Sequence, residues 1–161
     1  MIDNFAPDFI INTGIAGSLS KEVKILDTVV VDECVYHDMD KNIIKNNYPF
    51  VSEFLPDKDL VSKAAKSCEK LGISFKIGRI VTGDQFISDS EIKAGLIKDH
   101  NPLCVDMEST AITHVCNLNE VPCMILRSIS DEADDEGEMN YEIFEKKAAD
   151  ISSSIVLEII K

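Results

Sequence analysis

The chain has 161 residues, 45% of them hydrophobic and 28% charged, which suits one globular domain over 1–161 and argues against disorder. Against 16 Lys and Arg stand 29 Asp and Glu, an acidic balance that repels phosphate backbones and excludes nucleic acid as a partner. No apolar run reaches the roughly 20 residues of a membrane span, and the N-terminus has no basic or apolar leader pattern.

The five cysteines form no Cys-x-x-Cys pair, so neither a disulfide framework nor a zinc site is indicated. A cytoplasmic setting is expected, with no metal and no cofactor.

In chain order, Phe9–Thr13 is a short apolar run that predicts a buried strand, ending in a Gly-containing loop over Gly14–Ser18. The β-branched stretch Thr28–Val31 predicts a second strand within Val23–Tyr36. Residues 37–58 are polar, with Asn46-Asn47 and two prolines, and predict a long loop of the kind that is often functional. Asp59–Leu71 is amphipathic, with Leu60, Ala64, Cys68 and Leu71 on one face and Gly72 as its stop.

A strand over Phe75–Val81 leads into Thr82-Gly-Asp-Gln-Phe-Ile87, and a helix follows over Ser90–His100, capped by Ser90 or Asp89. Leu103–Asp106 predicts a short strand, Glu108–Asn117 a helix, and Pro122–Ile129 another apolar strand. The acidic loop Ser130–Gly137 precedes a C-terminal helix from about Asn140. Alternating helices and uniformly apolar strands predict an α/β domain with a largely parallel sheet covered on both faces.

Ligands bind beyond the carboxyl ends of strands in such sheets. Thr13–Ser18, Thr82–Ser88, Asp106–Glu108 and Arg127–Asp134 all fall there. Each has a bland explanation beside a chemical one. Asp131 follows an apolar strand, as a helix cap, a solvated loop charge or a catalytic acid. Glu108 opens a helix, where a carboxylate favours the N-terminus, but its two oxygens also match the cis hydroxyls of a ribose. Phe86 is a core ring or a platform for a flat heterocycle. Gly14 and Gly17 allow backbone to approach a ligand, although Asn12–Gly17 is no phosphate-binding loop. His37, His100 and His114 are scattered, with no metal-ligand or triad spacing.

Taken together, Pro7–Gly17, Asp32–Asp38, Thr82–Ile87, Val105–Ala111 and Arg127–Asp131, with Tyr141–Ala149, resemble the 5′-methylthioadenosine/S-adenosylhomocysteine nucleosidases of the nucleoside phosphorylase superfamily. The resemblance covers essentially the whole chain. It implies a three-layer fold with a mixed, largely parallel twisted sheet flanked by helices. It implies hydrolysis of the N-glycosidic bond of an adenine nucleoside, with Asp131 protonating adenine N7 and Ser130 orienting that carboxyl group. An ordinary Asp, of pKa about 3.9, is only about 0.1% protonated at pH 7, so the site must raise that value or the purine must share the proton. Ile87 would meet the adenine edge through its backbone and Phe86 would stack on the ring. Glu108 would hold the ribose hydroxyls and Met107 pack on the sugar. Gly17 would bring backbone close to the ligand, and Tyr141 would cover the 5′-alkylthio group.

The resemblance also implies a homodimer, with the region 36–49 reaching a neighbour's active site. The family's opening strands, and the Glu that activates the attacking water, have no counterpart in this sequence. The chain is therefore expected to be an N-terminally truncated member with an exposed strand edge and without competent hydrolysis alone. Ile15 stands where some relatives carry a hydroxyl residue. A phosphate-using nucleoside phosphorylase and an inactive adenosine-binding fragment are the alternatives.

Overall fold

The computed structural model describes residues 1–133 and 137–161, with side chains outside 137–142. Its elements in order are α1 (Ile2–Phe5), β1 (Ile10–Ser18), β2 (Thr28–Tyr36), α2 (Lys41–Lys45) and α3 (Lys58–Leu71). Then follow β3 (Phe75–Thr82), α4 (Ser90–His100), β4 (Cys104–Asp106), α5 (Ser109–Leu118), β5 (Cys123–Asp131) and α6 (Gly137–Ile159).

Helix boundaries follow local chemistry. Asp57 caps α3 by accepting from the amides of Asp59 and Leu60, and Gly72 ends it in the left-handed region at φ 66°. Asp89, rather than Ser90, caps α4, and Asn101 closes that helix with φ 46°.

The sheet is mixed as expected, but it is closed rather than open. The strand order β1-β4-β3-β2-β5 returns to β1 as a barrel. β1 runs parallel to β5, and β3 runs parallel to both β2 and β4. The closure comes from two antiparallel seams, Thr28–Val31 against Ile125–Ser128 and Gly17–Ser18 against Val105–Cys104. β1 pairs with β4 through those two residues only, so most of it is paired on the β5 side alone.

β5 is buried along its whole length because it has β1 and β2 as neighbours and α6 over it. Alternate residues divide between two cores. Ile125 and Ile129 join Val29, Val31, Cys34, Ile80 and Cys104. Met124 and Leu126 join Val30, Ala64 and Cys68 of α3 and Ile155 and Ile159 of α6.

All five cysteines are buried and free. Burial raises the thiol pKa of Cys68 to about 11 and of Cys123 to about 12, so both stay protonated and act as small apolar fillers. No described helix is long and apolar enough to cross a membrane.

Several boundaries differ from the sequence expectation. Gly14–Ser18 is strand, because its backbone keeps pairing with β5 as far as Gly17 opposite Asp131. Ser130 and Asp131 likewise belong to β5, not to the loop after it. The segment 37–58 contains α2, capped by Asp40.

Candidate active site

The carboxyl ends of β1, β4 and β5 enclose a cavity of about 460 Å3. Its lining includes Ile15, Gly17, Phe86, Met107, Glu108, Ser130 and Asp131. Ile87 is buried, and lines a small recess that shares Gly17, Phe86 and Asp131 with this cavity. Seven of the eight residues singled out from sequence therefore meet in one place. The eighth is Tyr141, whose side chain lies outside the described residues.

Asp131 is 2% exposed. The Ser130 hydroxyl donates to its Oδ2 at 2.8 Å, and the Ala133 amide donates to its Oδ1 at 2.8 Å. A solvated loop charge would show neither burial nor two fixed donors. A bulge at Ala16/Gly17 shifts the β1–β5 register so that Gly17 faces Asp131. A Cβ built on Gly17 would lie 2.7 Å from Asp131 Oδ1 and 2.8 Å from Ala133 Cβ. Glycine is required here by close approach, not by backbone angle.

Asp106 lines the cavity and pairs with the buried Arg127; both stand in segments that the sequence placed at the ligand edge, but neither was singled out for a role. Their side chains are each 2% exposed and pair at 2.7 Å, with a second contact from Arg127 Nε at 2.8 Å. Asp106 also accepts from the Thr82 hydroxyl at 2.6 Å and from the Ser109 amide at 3.1 Å. Arg127 donates to Asn12 Oδ1 at 2.7 Å and to the Leu126 carbonyl at 3.0 Å. The available signal was a lone arginine inside the apolar strand Cys123–Ile129, since a buried cation must be paired.

These contacts also settle what Glu108 does locally. Glu108 stands at the N-cap of α5 but makes no side-chain capping bond; Asp106 accepts from the Ser109 amide and the Thr82 hydroxyl from the Thr110 amide instead. The Glu108 carboxylate is 63% exposed in the cavity, 3.9 Å from Arg127 Nη2. Helix capping thus leaves its two oxygens available to a ligand. Phe86 and Met107, at 45% and 42% exposed, offer apolar surface beside it.

No group of three or more His, Cys, Asp or Glu side chains among the described residues could hold a metal ion.

The model of the phosphorylase superfamily matches residues 1–161. The chain is 37% identical to a 5′-methylthioadenosine/S-adenosylhomocysteine nucleosidase of Staphylococcus aureus, over 98% of this chain and 71% of that protein. Among solved structures, a Helicobacter pylori nucleosidase of the same name is 32% identical with a TM-score of 0.92, over 99% of this chain and 71% of the other. That enzyme is complexed with a 4-amino-5H-pyrrolo[3,2-d]pyrimidine carried on a pyrrolidinol. The futalosine hydrolase of H. pylori is also 32% identical with a TM-score of 0.92, over 99% of this chain and 70% of the other. The chain belongs to the 5′-methylthioadenosine/S-adenosylhomocysteine nucleosidases, N-glycosyl hydrolases of the phosphorylase superfamily.

Proposed function

We propose that the cavity binds an adenine nucleoside such as 5′-methylthioadenosine or S-adenosylhomocysteine and supplies the acid that releases adenine. The observation that carries this reading is Asp131, buried and oriented by Ser130 and Ala133, in the same cavity as the exposed carboxylate of Glu108. Asp131 gives its proton to purine N7 as the C1′–N9 bond breaks. The bonding pair then leaves with a neutral base instead of an anion. Water bonds to C1′ and releases a proton to solvent, from which Asp131 is reprotonated, yielding adenine and the thioribose product.

Glu108 accepts hydrogen bonds from the ribose hydroxyls, and Met107 packs on the sugar. The ring lies against Phe86 with its edge toward the Ile87 backbone. Positive charge develops on the sugar in the transition state, so the Glu108 carboxylate also stabilises it electrostatically. Arg127 neutralises Asp106 beneath and steadies Glu108 from 3.9 Å. The pyrrolo[3,2-d]pyrimidine of the H. pylori complex carries an N–H where purine N7 has a lone pair. Such a ring resembles the N7-protonated base that Asp131 would face.

Asp106, Glu108 and Asp131 are the carboxylates lining this cavity among the described residues. Asp106 is committed to Arg127, Thr82 and Ser109. None of the three matches the water-activating Glu that the family resemblance implies, so hydrolysis by the chain alone is slow. Calorimetry with 5′-methylthioadenosine is expected to give one site per chain. Adenine release is expected to stay near background and to be indifferent to phosphate. Phosphate-dependent release would favour phosphorolysis, and absence of binding would reject the reading. Futalosine belongs in the same titration, because the likeness to its hydrolase is as strong.

A homodimer is part of the proposal. Met39, Ile43, Tyr48, Phe50, Val51 and Leu55 are exposed along one segment, an apolar surface suited to a second copy. Sedimentation of the purified chain as a monomer at micromolar concentration would remove this element.

A further inference from the structure

Beside Glu132, just past the end of β5, lies a second cavity of about 580 Å3. Lys21, Lys24 and Lys93 line it together with the apolar residues Leu19, Val23, Ile25 and Ile97. The chain carries a formal charge of −13, yet three cations gather here. Among the described residues none of the three has a carboxylate within ion-pair distance. The nearby acids are otherwise engaged: Glu22 pairs with Lys76 at 3.6 Å, and Asp27 accepts from the Lys24 backbone amide at 2.9 Å. Glu132 is the one carboxylate on the lining.

We infer that this cavity binds a small organic phosphate, with its phosphate among Lys21, Lys24 and Lys93 and its apolar body on Leu19 and Val23. Three uncompensated ammonium groups around one concavity focus a positive potential that a dianion relieves. Phosphate suits lysines acting as point charges without a fixed fork. The apolar lining discriminates an organic phosphate from the free ion.

The cavity meets the residue after Asp131 at Lys93. Lys93 Nζ donates to the backbone carbonyl of Glu132, and the next amide, Ala133, holds Asp131 Oδ1. A phosphate that draws Lys93 to itself releases the Glu132 carbonyl. The binding site itself stands whether or not the Asp131 cavity accepts a nucleoside.

Phenyl phosphate is a direct probe, with inorganic phosphate and phenol as single-wall controls. Calorimetry on the full chain is expected to show phenyl phosphate binding at least about tenfold more tightly than either control. Affinity should fall as salt screens the lysines. The double variant K21E/K24E, changed at two exposed positions, should weaken binding by about tenfold or more while leaving the melting temperature unchanged. Amide NMR signals of Glu132 and Ala133 should shift in the wild type. No binding by the wild type, binding undiminished in the double variant, or signals confined to Phe86 and Met107 would each overturn the inference.

Discussion

Replacing Arg127 with Met is expected to destabilise the chain by about 3–5 kcal/mol, because it leaves the Asp106 charge buried without its cation. Both side chains are 2% exposed, so solvent cannot take over the role of the guanidinium. For a domain of this size that loss corresponds to roughly 6–20 °C in melting temperature. Adding D106N to the Arg127→Met variant should recover part of it, since a neutral amide needs no counter-ion and still bonds Thr82 and Ser109. The two variants compared by chemical denaturation form the test. A loss below about 1 kcal/mol for the single variant, the range of screened surface pairs, would show that the pair does not stabilise the fold.

The second large effect is expected at Gly17. Alanine there puts a methyl 2.7 Å from Asp131 Oδ1 and 2.8 Å from Ala133 Cβ, both closer than real contacts allow. Overpacking of this kind costs about 1–3 kcal/mol. The functional loss should be larger in proportion, because the displaced atom belongs to the proposed proton donor. A misplacement of about 1 Å can cost about 100-fold in turnover, so single-turnover adenine release should fall on that scale when measured in a form of the chain joined to a family opening segment that carries the water-activating Glu. Gly95 is the control. A Cβ there meets nothing within 4 Å, and it lies inside α4, so alanine should stabilise the chain by about 0.5–1 kcal/mol. Equal activities for the two variants would separate Gly17 from Asp131.

Much of this architecture is legible in the sequence because it depends on local chemistry. Thr28–Val31 and Cys123–Ile129 are apolar or β-branched runs, and they are strands because both faces are covered; Phe75–Val81 is buried only toward its end. The α3 helix announces itself through Leu60, Ala64 and Cys68 on one face and Gly72 at its end. Closure into a barrel was not legible. It rests on Thr28–Val31 meeting Ile125–Ser128, a pairing between segments about 100 residues apart that no local pattern encodes. The strand character of Gly14–Ser18 was hidden for a related reason. Small residues and glycines look like a loop, and only the neighbouring backbones of β5 and β4 make them a strand.

At the site, carboxylates that end strands could be found from order and residue type. The Asp106–Arg127 pair could not be assigned: a lone arginine in an apolar strand signals a buried cation, but its partner lies 21 residues away on another strand. The structure also altered the meaning of Glu108. Its helix-start position suggested capping, yet Asp106 and Thr82 accept the first two amides and leave Glu108 facing the cavity.

The central claim, that Asp131 faces N7 of a bound adenine ring, is tested most directly by calorimetry on the chain and its Asp131→Asn variant. The ligands are 5′-methylthioadenosine and a pyrrolo[3,2-d]pyrimidine analogue of the kind held by the H. pylori enzyme. The analogue donates an N–H at the N7 position, so losing the charged acceptor should weaken it by about 1.5–3 kcal/mol, roughly 10- to 100-fold. Methylthioadenosine, with a lone pair there, should change far less. Equal effects on both ligands, or no binding of either by the unmodified chain, would contradict the assignment of Asp131.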